Sequence, residues 1–278
     1  MIGFNLLSTQ YTFFVELNNV VLKNVTNIGA IDLSIFLISP VPQGTVIVNN
    51  LTAVDTNIGK RNLFHYSING FGTFIASDFY FANIVMGVDS SLILTDSIQS
   101  LMINNINVSN VTQSDSEGQD STILNLGNIV ISDTGTYSII GMTVTNSSIS
   151  MLSLNGITNS QSINSTLLFS DLSYSDSHID FSQELFTIGS QASDTSINIV
   201  VSNVYMTNLT FPLNGNMFTF KHQTANPIHL NNMHFENNFG ASIYLESEGA
   251  QNTDSKTKVV MSNITANNVN SNTRSFII

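Results

Sequence analysis

A chain of 278 residues with 42% apolar side chains can bury a large core, so hydrophobic content does not limit folding. With 7 basic against 19 acidic residues, a formal charge of −12 and no basic cluster beyond Lys60-Arg61, it lacks the face that nucleic-acid binding requires. The absence of cysteine excludes disulfides, thiolate metal centres and thiol nucleophiles, and no run approaches the about 18 apolar residues of a membrane span.

Only 9% of residues are charged, so the surface must be built from Asn, Ser and Thr, and 37 residues are Asn. These residues, with Val and Ile, rank below Ala and Leu as helix formers. They suit strands joined by tight turns, because β-branched and aromatic residues fit a pleated surface and Asn tolerates left-handed backbone.

The opening, Met1-Ile2-Gly3-Phe4-Asn5, lacks a basic region followed by a hydrophobic stretch, so a signal peptide or anchor, if the full protein has one, is expected outside this chain. From Val15 onward one pattern recurs nine times, h-x-h-x-N-h-x-h-x-N with h apolar. Its reference positions are Asn19, Asn50, Asp78, Asn105, Gly141, Asp171, Asn203, Asn232 and Asn263, all residue types that tolerate positive φ. Four residues earlier stand Val15, Val46, Phe74, Leu101, Tyr137, Leu167, Ile199, Ile228 and Val259. The positions two before, one after and three after are apolar in every copy as well.

Apolar alternation is strict on both sides of the reference residue and changes phase across it. Two short strands with one buried face each are therefore joined by a corner that keeps the apolar side chains inward. Five residues on, Asn24, Asp55, Asn83, Asn110, Asn146, Asp176, Asn208, Asn237 and Asn268 mark a second corner.

Copies are spaced by 27 to 36 residues, which leaves room for a third strand. It is expected at Ile31 to Phe36, Leu63 to Ile68, Leu92 to Leu94, Ile123 to Leu126, Met151 to Leu154, Leu185 to Ile188, Met217 to Phe220, Ile243 to Leu245 and Phe276 to Ile278. Turn residues place loops at Ser39 to Gly44, Asn69 to Gly72 and Glu246 to Asn252.

The pattern predicts an all-β chain, a right-handed parallel β-helix of about nine coils of about 30 residues, three strands per coil. It forms a single domain over residues 1–278 and reads as a fragment of a longer solenoid, since Ser275-Phe276-Ile277-Ile278 stops in a strand-like run. Stacked amides at the first corner are expected to hydrogen-bond along the axis as an asparagine ladder.

This three-strand coil with an Asn corner resembles the pectin-lyase-like right-handed β-helix superfamily over the full chain. Phe235 and Asn238, with Gly240-Ala241 following, also look like the FxxN…GGAI repeat of polymorphic outer-membrane-protein-type surface β-helices. The resemblance implies the fold. It leaves activity open, because the superfamily holds lyases, hydrolases, tailspikes, adhesins and structural proteins.

No catalytic, cofactor or metal site is expected. Hydrolases of the fold resemble one another in clustered Asp with a nearby His and an Arg-x-Lys. Here Asn252-Thr253-Asp254 is followed by none of these. Lyases need carboxylates that hold Ca²⁺ and a basic residue, and the two arginines, Arg61 and Arg274, lie outside any acidic cluster. The densest acidic group, Asp115, Glu117 and Asp120, reads as a solvated loop, and His229 and His234, with His222 upstream, lack a third metal ligand. Phe71, Tyr80 and Tyr205 remain as exposed aromatic platforms, whereas Phe74, Phe79, Phe81, Phe169 and Phe235 have inward parity.

Eight sequons occur, at Asn24, Asn50, Asn107, Asn110, Asn146, Asn164, Asn208 and Asn263. Glycans are expected at Asn24, Asn110, Asn146 and Asn208 of the second corner, and shielding at Asn50 and Asn263 of the first.

The expected function is a non-catalytic structural or adhesive scaffold, extracellular or at the cell surface, a glycosylated segment of a surface or filament protein. Its partners would be other copies or neighbouring solenoid segments, with glycans as further candidates. A polysaccharide lyase or hydrolase, or a glycan-binding module, is the alternative on the same fold.

Overall fold

A computed structural model describes residues 2–3, 6–8, 13–26, 31–37, 43–68, 71–114, 121–131, 136–159, 165–179, 184–189, 197–221, 226–246 and 258–270. These residues form strands, turns and bends, and contain no helix. The first half holds β1 (Ile2–Gly3), β2 (Leu6–Ser8), β3 (Phe13–Lys23), β4 (Ile31–Leu37), β5 (Gln43–Gly59), β6 (Phe64–Ile68), β7 (Phe71–Met86), β8 (Ser91–Ile98) and β9 (Ser100–Gln113). The second holds β10 (Thr122–Ile131), β11 (Tyr137–Thr145), β12 (Ser150–Asn159), β13 (Ser165–His178), β14 (Glu184–Gly189), β15 (Ile197–Lys221), β16 (Ile228–Glu236), β17 (Phe239–Glu246) and β18 (Val259–Asn267).

Pairing between these strands is parallel and sorts into two stacks. The first runs β3-β5-β7-β9-β11-β13-β15-β16-β18. Its register aligns Val15, Val46, Phe74, Leu101, Tyr137, Leu167, Ile199, Ile228 and Val259 in one column. The second stack runs β4-β6-β8-β10-β12-β14, the C-terminal half of β15 and β17, with β1 and β2 on β4. Parallel pairing of segments about one repeat apart is a β-solenoid, in which each coil rests on its neighbours and a parallel sheet is buried on its inner face.

Buried apolar side chains line both walls in β5 with β6, β7 with β8, β9 with β10, β11 with β12, β13 with β14, the two halves of β15, and β16 with β17. Full turns number about six, against the nine expected. The nine corner-bearing strands are all present, but among the described residues of the corner stack β3 is paired only with β5 and β18 only with β16. The core residues of these two strands are partly exposed in consequence.

The apolar patches between corners form the second stack from β4 to β17, while Phe276 to Ile278 lie outside the described residues. Two expected loops contribute to strands. Gln43 and Gly44 pair with Phe71 and Gly72, because parallel stacking carries the ladder past the glycines. The strands are also joined by a short segment just beyond the second corner. There Thr56 aligns with Ile84, Ile84 with Val111, and Ser177 with Leu209.

Aromatic side chains bridge the interior between walls. Phe74 of β7 lies 5.6 Å from Phe64 and 5.4 Å from Tyr66 of β6, centroid to centroid. Phe186 of β14 stands 5.1 Å from both Phe169 of β13 and Phe218 of β15. Tyr174, fully buried, donates its hydroxyl to the Ile149 carbonyl at 2.8 Å and to the Ser147 carbonyl at 3.2 Å, tying one coil to the preceding one. Burial pushes the phenol pKa of Tyr174 and of Tyr66 well above the ordinary tyrosine value, so both are neutral donors.

Tyr66 and Thr95 are register partners in adjacent coils, and their hydroxyls are buried without a hydrogen-bond partner. Each such group costs about 1–3 kcal/mol. Thr95→Val, which keeps the shape and removes one of them, is expected to raise unfolding stability by about 1–2 kcal/mol. Phe186→Ala is expected to lower it by about 3–5 kcal/mol. Urea unfolding of both variants beside the parent measures the two shifts.

Candidate functional site

The corners are where side chains of known chemistry converge. In the first row φ is 53–59° at Asn19, Asn50, Asp78, Asn105, Asp171, Asn203, Asn232 and Asn263, and 74° at Gly141. In the second row φ is 48–55° at Asn24, Asp55, Asn83, Asn110, Asn146, Asp176, Asn208, Asn237 and Asn268. Left-handed backbone is costly for most L-residues and least so for Asn, Asp and Gly, which explains the composition of both rows.

At the first corner Asn50 Nδ2 donates to Asn19 Oδ1 at 2.7 Å, and Asn105 to Asp78 at 3.0 Å. Asn203 donates to Asp171 at 2.9 Å and Asn232 to Asn203 at 2.8 Å. An amide ladder is present on the second corner too. Asn83 donates to Asp55 at 2.9 Å and Asn110 to Asn83 at 2.9 Å. Asn208 donates to Asp176 at 2.7 Å, Asn237 to Asn208 at 3.3 Å and Asn268 to Asn237 at 2.8 Å.

In each of these bonds the later coil donates to the earlier one. A carboxylate can accept but not donate, so it can stand only at the first rung of a run. Asp55, Asp78, Asp171 and Asp176 all occupy that place. Gly141 is a gap of a different kind. A Cβ there would stand 3.0 Å from Asn105 Oδ1, so the Asn105 amide leans over the space a side chain would fill.

Beyond the second corner, polar residues enter the interior. Thr56, Ser147 and Ser177 each donate a hydroxyl to the carbonyl two residues earlier, at 3.0, 2.8 and 2.6 Å. Ser147 Oγ also accepts the Val111 N–H at 3.1 Å, and Ser177 Oγ the Ser147 N–H at 3.0 Å. Asn238, fully buried, accepts the Leu209 N–H at 3.0 Å and donates to the Met206 carbonyl at 2.8 Å. These side chains replace strand bonds that the bend interrupts. Only Asn238 was marked by sequence, through its FxxN spacing, because one polar letter after an Asn breaks no alternation.

Of the four residues expected to carry glycans, Asn110 and Asn208 spend an amide N–H on the ladder, while Asn24 and Asn146 form no ladder bond among the described residues. All four are exposed, and so are Asn50 and Asn263. Sequon Asn164 lies outside the described residues.

Outward chemistry is sparse. His234 Nε2 lies 3.4 Å from Glu236 Oε2 on one strand face, and the Tyr205 ring sits 6.1 Å from the His234 ring. Tyr80 and Tyr205 are 46% and 49% exposed, which makes both available as platforms. Phe71 is in β7. His229 is on β16 beside Val200, apart from that cluster. Among the described residues no three His, Asp or Glu side chains group closely enough to hold a metal ion. Asp115, Glu117, Asp120, His222, Asn252 to Asp254 and Arg274 lie outside the described residues. Among the described residues no helix is long and apolar enough to cross a membrane.

No family model, curated protein or solved structure matches the chain.

The direction of donation can be tested at two rungs. Asp78→Asn supplies the missing donor toward Asn50 and is expected to add about 0.5–1.5 kcal/mol. Asn105→Asp places a second carboxylate against Asp78 and is expected to cost about 1–3 kcal/mol at neutral pH. The repulsion raises the folded-state pKa of the pair, so this loss shrinks as pH falls through the carboxylate range and a proton restores a donor. Thermal melts of both variants at neutral and acidic pH read the two signs.

Proposed function

We propose that the chain is a non-catalytic scaffold of an extracellular surface or filament protein, built on a pectin-lyase-like right-handed β-helix. What carries the reading is where the polar side chains are spent. Amide and carboxylate groups that could serve a reaction are engaged with one another along two edges, and Asp55, Asp78, Asp171 and Asp176 each receive an amide N–H from the next coil. A surface of Asn, Ser and Thr with 9% charged residues suits close packing against neighbours, because little charge has to be desolvated.

The scaffold is glycosylated in this reading, and Asn24 and Asn146 are its preferred acceptors, since modifying them costs no ladder bond. Intact-glycopeptide mass spectrometry of secreted protein is expected to find higher occupancy at Asn24 and Asn146 than at Asn50. The reverse order contradicts it. Antibody labelling of unpermeabilised source cells is expected to decorate their surface. Incubation with acidic polysaccharides, with and without Ca²⁺, is expected to release no unsaturated or reducing ends. Product formation would replace this reading with the enzyme alternative.

A second reading, glycan binding without turnover, is favoured by one cluster: the exposed Tyr205 ring beside His234 and Glu236. A sugar face stacks on such a ring while the imidazole and carboxylate take its hydroxyls. A glycan array showing affinity that Tyr205→Ala abolishes would support this reading over the scaffold alone.

A further inference from the structure

In the strands that lead into the first corner, every second side chain points outward, and one outward column of the corner stack is apolar. Register aligns its members from Glu16 of β3 to His229 of β16. Between these two stand Ile47, Ile75, Met102, Leu168 and Val200, interrupted by Ser138. All six are partly exposed, whereas their neighbours along the same strands at the inward positions are buried. The outward columns on either side hold Ser, Thr and Asn, as Thr73 and Ser77 do beside Ile75, with Ile140 the one apolar exception. Between Glu16 and His229 no residue of these three columns is charged, and none is the Asn of a sequon. Single exposed apolar residues are ordinary, but a continuous stripe of them on one sheet face marks a contact surface.

The stripe is self-complementary in one orientation. A two-fold axis in the plane of contact, along the strand direction, reverses the order of coils and leaves each column facing its own kind. Centred between Met102 and Ser138, it sets Ile47 opposite Val200 of the second copy, Ile75 opposite Leu168 and Met102 opposite Ser138. The same rotation brings Glu16 opposite His229, so at both ends of the patch a carboxylate meets an imidazole that can donate to it. A two-fold axis along the solenoid would instead set Glu16 on Glu16 and His229 on His229. From β3 to β16 the face covers eight corner strands at about 4.8 Å by about 17 Å of strand. That is roughly 600 Å² per copy and about 1,200 Å² in all, within the range of specific interfaces. Glu16 and His229 bound the patch themselves, so a further coil at either end leaves it as it is.

Resting on the scaffold reading above, we infer that two copies of this chain pair side by side and antiparallel through the outer face that precedes the first corner. The contact is isologous, the same stripe on both copies, so it closes as a dimer. It packs sheet on sheet with apolar, hydroxyl and amide side chains, and little charge has to leave water.

The test uses the purified 278-residue chain in analytical ultracentrifugation. The parent is expected to show a concentration-dependent equilibrium between monomer and dimer. Ile75→Lys, which sets an ammonium opposite Leu168, is expected to weaken it at least about a hundredfold. Thr143→Lys, exposed on the face beyond the corner, is expected to leave it unchanged. Glu16→Lys and His229→Glu probe the orientation. Each alone is expected to weaken dimerisation about fivefold, and the double variant to restore it, because lysine then faces glutamate at both ends. Circular dichroism of each variant beside the parent establishes that it is folded. Should Ile75→Lys not fold, Ile75→Thr, of similar shape, is expected to weaken association about tenfold. A monomeric parent, an Ile75 variant that dimerises like the parent, or a Thr143→Lys variant that loses as much as Ile75→Lys overturns the contact. A double variant weaker than either single one overturns the antiparallel pairing. None of these outcomes touches the surface-labelling or polysaccharide results, so failure here is distinct from failure of the scaffold reading.

Discussion

The structure depends on one backbone constraint, a left-handed residue that bends the chain while the inner face stays apolar. In a straight strand side chains alternate, and a one-residue shift would turn the whole core outward. At Asn50 the alternation is reset: Val46 and Val48 before it are buried, and so are Leu51 and Ala53 after it. Positive φ makes this possible, and repeating it twice per coil bends the sheet around its own core. The interior then fills with large side chains, such as Phe74 against Tyr66 and Phe169 against Phe186, that seal two walls together.

From that constraint follows the polar chemistry of the edges. Corner residues must be Asn, Asp or Gly, and in the stack they fall one above another, so their side chains have only each other as regular partners. Asn is self-complementary, carrying a donor and an acceptor, and extends a column indefinitely. Asp is not, and it is tolerated only where a run begins. The resulting ladders have a direction, from later coil to earlier.

Much of this was legible in the sequence because the signal is periodic. Both rows of corners read from the repeat adopt positive φ, while Gly59, Asp89 and Gly240 adopt it outside them, and the patches between the corners form the second stack. Less legible was anything that depends on the direction of a hydrogen bond. A ladder was expected at the first corner only, yet Asn83, Asn110, Asn208, Asn237 and Asn268 build one on the second, and nothing in a letter distinguishes an amide that points along the axis from one that points to solvent. Ser147 and Ser177 likewise look like surface residues in a Ser-rich chain. They are drawn inside because the backbone beyond the corner needs partners there. The number of full turns was overstated for a similar reason. Pattern matching counts corners, whereas burial needs a neighbour on both sides.

The central claim, that each corner is held by a residue able to adopt left-handed backbone, is tested most directly at Asn203, which is mid-stack and bonded both above and below. Unfolding free energies of Asn203→Gly and Asn203→Val separate the ladder from the backbone. Glycine forfeits only side-chain bonds and is expected to cost about 1–2 kcal/mol, whereas valine adds the strain of a β-branched residue at positive φ and is expected to cost at least about 2 kcal/mol more. Equal losses for the two variants would contradict the account.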